Sequence, residues 1–334
     1  MFDKFLNLEV FISSKIKKSI FISGSVAFDT LLEFNGSFSD YILPDKLSNI
    51  NVAFLVPKMR REFGGCAANI AYNLAQLGDN CLLLGSVGKD AKEYIQRLSD
   101  HGIITSHLTN CIEFFTAQAF ITTDNKGNQL TSFHPGAMNT EKISDFPDSV
   151  CDIGIISPNS HFAMFKTSEN FHEKKIPFVF DPGQALPMFE KSELLSLISK
   201  ACWLTVNEYE GNTLKDKLNT SLESLVSNLY PRKNGGIIQT LGKNGCKVFT
   251  KDDSFKIKPV VVKDPIDPTG CGDAFRAGML YGLSRNHSLY DSACLGNVIG
   301  SIKVKSIGGQ NHKVDSQNVK KIMEINFPKS KLEF

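Results

Sequence analysis

The chain has 334 residues, 42% of them hydrophobic, enough to bury a large core within one α/β domain. Its 37 basic and 35 acidic side chains leave a formal net charge of +2 and are intermixed, which excludes the basic stripe of a nucleic-acid binder. Eight cysteines are scattered, with no C-x-x-C and no His/Cys cluster at metal-ligand spacing, so neither a zinc site nor a disulfide framework is indicated.

The opening stretch, MFDKFLNLEVFISSKIKKS, carries acids at Asp3 and Glu9, where a secretory leader needs basic and then purely apolar residues. No window approaches the run of roughly 18 apolar residues that a membrane span needs. The expectation is a soluble cytoplasmic protein with reduced thiols. Residues 1–18 read as an appended arm and 19–334 as one domain.

Six short apolar runs then read as buried strands: SIFISG from Ser19, CLLLGSVG from Cys81, CDIGIIS from Cys151, IPFVFD from Ile176, CWLTV from Cys202 and GGIIQTLG from Gly235. Between them, ANIAYNLAQLG and AKEYIQRLSDHG place apolar residues at three- and four-residue spacing and end in glycine, as helices do. This alternation predicts a mostly parallel central sheet flanked by helices on both faces. Two stretches, about 31–58 and about 115–133, break the rhythm and look extended. The turn DNKGNQ, from Asp124 to Gln129, lies in the second. A small β lid would account for both.

Ligands of such a sheet bind beyond the carboxyl ends of its strands. The late segment DPTGCGDAF is the loop that stands out. Gly270, Cys271 and Gly272 open the helical pattern DAFRAGMLYGLS, so their backbone N–H groups carry the positive end of a helix dipole. Such amides suit a phosphoryl group in transfer, and Asp273 beside them would take a proton from the attacking hydroxyl. Locally, the same residues also read as a tight turn followed by a capping acid. A dinucleotide fingerprint G-x-G-x-x-G fails at Phe275, and no G-x-x-x-x-G-K-[ST] phosphate loop exists.

DPTGCGDAFRAG resembles the carboxy-terminal signature of the ribokinase-like (PfkB) carbohydrate and nucleoside kinases, and FGGCAANIAYNLAQLG, from Phe63 to Gly78, their amino-terminal one. NEYE, from Asn207 to Glu210, is similar to the family's N-x-x-E motif. TLGKNG, from Thr240 to Gly245, is similar to its nucleotide-binding T-x-G-x-x-G. Within the family, GSVAFD, TAQAFITTD, FHPGAMN and FDPGQALPMFE look most like bacterial adenosine kinases. The resemblance implies a ribokinase-like three-layer fold, ATP and Mg2+, transfer to the 5′-hydroxyl of adenosine to give AMP and ADP, and stimulation by a monovalent cation such as K+. It also implies a homodimer formed through the lid.

By the same resemblance, Asp273 would be the base, with the N–H groups from Gly270 to Gly272, including Cys271, holding the phosphoryl. Asp29 would bind the two ribose hydroxyls, with Gly64, Gly65 and Asn69 against the sugar. Ser25 and Gln184 would add polar contacts, and Phe120 and Phe133 from the lid would stack on the purine. Asn207 and Glu210 would organise Mg2+ through water. Thr240, Gly242, Gly245 and Asn297 would border ATP, and Asp267 and Thr269 would help build the K+ site. Cys271 stands where many relatives have a small residue, and its thiol would be open to alkylation. Ala53 stands where many have Ser, so one hydroxyl contact to substrate is lost. A sugar kinase of the same fold is the nearest alternative, and a non-catalytic nucleotide or nucleoside sensor a remote one.

Overall fold

The computed structural model describes residues 19–42 and 51–332. The expected arm, 1–18, and part of the first lid stretch, 43–50, lie outside the described residues.

Among these residues the main sheet has nine strands. In spatial order they are β13 (Ser254–Ile257), β12 (Cys246–Phe249), β11 (Gly236–Thr240), β10 (Trp203–Asn207), β9 (Phe178–Phe180), β8 (Cys151–Ile156), β1 (Ser19–Ser23), β4 (Cys81–Gly88) and β5 (Leu108–Cys111). Every pairing from β11 to β5 is parallel, while β12 and β13 add an antiparallel edge. All six strands expected from apolar runs are present.

Parallel strands covered on both sides read as continuous apolar runs because both faces are buried. In β1, Ile20 and Ile22 enter one hydrophobic layer and Phe21 the other. The first layer holds helices α1 (Cys66–Gln76), α2 (Lys92–Asp100), α7 (Cys271–Ser284), α8 (Leu289–Lys303) and α9 (Ser316–Asn326). The second holds α3 (His161–Glu173), α4 (Lys191–Lys200), α5 (Glu208–Leu218) and the short α6 (Leu222–Leu225). The α7–α8 seam is closed almost backbone to backbone. A Cβ on Gly278 would lie 2.8 Å from Leu295 O, and one on Gly282 would lie 2.5 Å from Ser292 Oγ. None of these helices is long and apolar enough to cross a membrane.

A second sheet runs β3 (Lys58–Gly64), β2 (Ala27–Glu33), β6 (Ala117–Thr123) and β7 (Gln129–His134). Its first two strands bracket the expected stretch 31–58 rather than fill it. Among the described residues between them, Phe34 and Phe54 belong to an aromatic cluster, with their rings 4.9 Å apart. The β6–β7 hairpin turns where DNKGNQ predicts. Asp124 Oδ1 accepts from the N–H groups of Lys126 and Asn128, and Gly127 takes φ +81°.

Register decides which lid side chains share a face, since alternate residues point opposite ways. Asp29, Glu62, Ala119 and Phe133 form one row across the sheet. Thr30, Arg61, Phe120 and Ser132 form the adjacent row, on the reverse face.

Candidate active site

The chain enters α7 through Gly270 in the left-handed region at φ +75°, where a Cβ would also lie 3.0 Å from Gly309 Cα. Glycine is therefore required twice over. The backbone N–H groups of Gly270, Gly272 and Asp273 have no protein partner among the described residues. The amide of Cys271 departs from expectation: it donates to Pro268 O at 3.0 Å, because the preceding DPTG closes a turn. The Cys271 side chain is half-buried, and burial pushes its thiol up to about 11. It stays a neutral thiol, poorly suited to the alkylation its position suggested.

Asp273 stands in the first turn of α7, and its Oδ2 accepts from Asn69 Nδ2 at 2.9 Å. Its carboxyl is pushed up to about 6, first by burial and then by the charges of Asp181 and Asp29, against the opposing pull of Arg276 and Asn69. Asn69 is itself fixed. Its Oδ1 accepts from Gln310 Nε2 at 3.0 Å, and the same nitrogen donates to Tyr94 Oη at 2.6 Å. Tyr94 in turn donates to Gly64 O at 2.6 Å. One hydrogen-bonded chain thus runs from the lid strand β3 to Asp273. Tyr94 and Gln310 escaped the sequence reading, because nothing local marks them.

Asp29 lies on β2 against Gly64, where a Cβ would come 2.4 Å from Asp29 Oδ2. Gly65 follows at φ +91° and opens α1. Burial first, then Glu62 and Asp267, pushes Asp29 up to about 6. Ser25 Oγ accepts from Cys66 N at 2.9 Å, so this hydroxyl caps α1, and only its own proton is left for another acceptor. Gln184 is exposed in a helical turn, Gly183–Met188, that follows β9.

The two lid aromatics part company. Phe133, 45% exposed, shares the face of Asp29, whereas Phe120, 41% exposed, is on the reverse face. The expected aromatic slot cannot be built from both rings within one chain, because Phe120 pairs with Ser132 and lies one residue out of phase.

Asn207 and Glu210 form a reciprocal cap at the start of α5. Asn207 Oδ1 accepts from Glu210 N at 2.8 Å, and Glu210 Oε2 accepts from Asn207 N at 2.7 Å. Burial first, and then Asp181, holds the Glu210 carboxyl above its usual range. No group of three or more His, Cys, Asp or Glu suited to hold a metal occurs among the described residues. The donor set fits a magnesium ion that keeps its waters.

Thr240 ends β11 beside Val206. Gly242 and Gly245 take φ +54° and +84° in the turn before β12. A Cβ on Gly242 would meet nothing within 4 Å, whereas one on Gly245 would lie 2.1 Å from Ile257 O. Asn297, on α8, donates to Lys258 O at 3.3 Å.

Beneath the site, Arg276 Nη2 donates to Asp181 Oδ1 at 2.6 Å, and its Nε is paired with Asp181 Oδ2. Both residues are buried, and a Cβ on Gly272 would lie 2.8 Å from Arg276 Nη1. Asp267 accepts from Thr269 N at 2.9 Å and from Gly308 N at 2.8 Å, while its backbone carbonyl accepts from Lys303 Nζ at 2.8 Å.

Solved structures of two nucleoside kinases share this fold, which is ribokinase-like. The model of the pfkB family carbohydrate kinases matches residues 31–316, and the chain belongs to that family. It is 34% identical to the Burkholderia thailandensis nucleoside kinase solved with inosine, with a TM-score of 0.79 over 92% of this chain and 98% of that one. A second structure of that enzyme, with ADP-inosine, gives 35% and 0.76 over 94% and 99%. The nucleoside kinase of Methanocaldococcus jannaschii is 31% identical over 274 residues, 81% of this chain and 89% of that one, and its crystal structure superposes with a TM-score of 0.83 over 92% and 98%. The ribokinase of Lactococcus lactis is 26% identical over 275 residues, 79% and 87% of the two chains.

Proposed function

We propose that the protein transfers the γ-phosphoryl group of ATP to the 5′-hydroxyl of a purine nucleoside, adenosine foremost, giving the nucleoside monophosphate and ADP as a cytoplasmic salvage step. The observation that carries this reading is the pairing of two carboxylates with separate tasks. Asp273 stands at a glycine-opened helix start with open amides, and Asp29 stands across from it on the lid, close enough to raise its pKa.

In this reading the 5′-hydroxyl gives its proton to an Asp273 carboxylate oxygen as its own oxygen bonds to the γ-phosphorus, and the bond to the bridging oxygen of ADP breaks. The amides of Gly270, Gly272 and Asp273 face the charge that spreads over the transferring group. The ionised Asp29 accepts both ribose hydroxyls, a charge-assisted contact. Asn207 and Glu210 would hold magnesium through water, and that ion supplies charge neutralisation at the phosphates. The turn at Thr240, Gly242 and Gly245, with Asn297, would border the nucleotide.

Phe133, on the face of Asp29, favours a nucleoside over a free sugar, since only a base can use an aromatic face. The inosine complexes of the Burkholderia enzyme bring inosine in beside adenosine. The outer lid face, with Met59, Phe120 and Leu130 exposed, is the surface on which a second copy would dock. Light scattering at a monomer mass would remove the dimer.

The deciding assay offers ATP with adenosine, inosine, guanosine, ribose and fructose in turn. Turnover of adenosine with none of ribose or fructose is expected. Turnover confined to a sugar would replace this reading with the sugar kinase.

A further inference from the structure

We propose that the ammonium of Lys303 does the work of a monovalent cation beneath the α7 loop, so that this protein needs no K+. The proposal rests on the kinase reading of that loop for its consequence in catalysis, but not for the site itself.

Lys303 is the last residue of α8 and is 0% exposed, the most fully buried charged side chain among the described residues. Its Nζ donates to Asp267 O at 2.8 Å and to Ser306 O at 3.0 Å, and lies 4.0 Å from Asp267 Oδ2. Two carbonyl oxygens and one carboxylate, drawn from two loops, therefore converge on a single positive nitrogen. Hard oxygen donors with one formal negative charge are what a potassium or ammonium ion would seek. A second cation among the same oxygens would meet the ammonium at close range and be repelled.

Burying a lysine is costly unless its charge is paired and hydrogen-bonded. Here both conditions hold, and the carbonyl end of α8 adds a favourable dipole. Burial draws the Lys303 pKa below its ordinary value, while Asp267 and Asp273 hold it up. Asp267 is the counter-charge. Burial alone would raise its carboxyl, but the N–H groups of Thr269 and Gly308 and the charge of Lys303 outweigh that and leave it lowered.

The cation binds two loops together. The loop before α7 hangs on the end of α8 through Ile266 N and Asp267 N, both donating to Val304 O. Further along each loop, Gly270 and Gly309 pack against one another beside Asn69. Lys303 thus acts as a positioning residue: it fixes the loop that leads into the open amides of α7 and the loop that carries Gln310, the partner of Asn69. Asp267, expected to help build a K+ site, is turned on the chain's own cation instead, and Thr269 N holds its carboxylate in place.

The test compares KCl with tetramethylammonium chloride at matched ionic strength on the full-length protein, reading both ligand-free Tm and kcat/KM. Neither should change, kcat/KM staying within about twofold, because an ion with no site on the native state cannot shift it by mass action. A saturable rise in Tm or kcat/KM that is specific to K+ would overturn the proposal. Lys303→Ala opens the oxygen cage. It should lose activity in tetramethylammonium chloride and recover about tenfold or more in KCl or methylammonium chloride, by the same linkage. A folded Lys303→Ala protein with wild-type kcat in tetramethylammonium chloride would also sink the idea. If the variant does not fold, the wild-type salt comparison decides. If no acceptor is phosphorylated at all, the kinase reading fails, yet the Tm comparison still tests the site.

Discussion

Asn69 Nδ2 donates to Asp273 Oδ2 at 2.9 Å and so joins the two signature segments, which lie 204 residues apart, at one carboxylate. The bond pins one oxygen of Asp273 and leaves the other for a substrate proton. Replacing Asp273 with Asn keeps the shape and removes the base. Turnover should fall by about 10²–10⁴-fold with little change in nucleoside KM, since general-base catalysis supplies about that much. Steady-state kinetics with adenosine check it, and unchanged turnover would refute the assignment.

Two carboxyls with raised pKa values give the enzyme an acid limb. Asp273 and Asp29 both titrate at about 6, and both must be ionised for the proposed chemistry. The rate therefore falls as pH drops through about 6, with a limiting log slope near two. Asp29→Asn should reduce that slope to about one, because one titration has been removed. For stability the sign is opposite. The folded state binds these protons more tightly than the unfolded chain, whose carboxyls sit at 3.8, so their destabilising contribution is relieved as pH falls below about 6.

The separation of the lid aromatics makes a paired test. Phe133→Ala should raise nucleoside KM by about three- to tenfold, the worth of one aromatic contact, while Phe120→Ala leaves it alone. Asp29→Ala should raise the same KM further without abolishing turnover. Equal effects of the two phenylalanines would mean that Phe120 reaches the base of a neighbouring copy.

The buried pair of Arg276 and Asp181 predicts a stability effect. Arg276→Met strands a buried carboxylate beneath Gly272 and should cost about 3–5 kcal/mol in denaturant unfolding. The double variant with Asp181→Leu should regain most of it, since neither charge is then left alone. A single-variant loss below about 1 kcal/mol would mean that water reaches the pair.

Six strands of the main sheet were legible because they are buried on both faces and so write themselves as apolar runs, whereas β5, β12 and β13 at its edges were not. The lid was legible only in part. KMRREFG, which forms β3, is charged because most of the strand is exposed on both faces, so no apolar run announces it. Asp29, Gly64, Asn69 and Asp273 could be singled out because they stand in short segments that resemble a family.

Arg276 and Lys303 were missed although each stands alone in an otherwise apolar helical run, AFRAGMLYGL and VIGSIKV. A lone basic residue in such a run marks a buried partner. Its partner, Asp181 or Asp267, comes from another part of the chain and has no local sign. The parity of Phe120 and Phe133 was equally hidden. It follows only from the hairpin register, which pairs Thr123 with Gln129.

The seam between α7 and α8 leaves no room for an added methyl at Gly278 or Gly282, so Asp273, the proposed proton acceptor, is mounted on a tightly closed helix pair. The groups proposed to meet the acceptor ride instead on a thin sheet whose strands β3 and β7 are largely exposed. Acceptor preference can therefore be redrawn by changing lid residues one at a time, with the chemistry carried over intact. The reverse route, reshaping the seam to admit a new acceptor, would cost the reaction before it changed the choice.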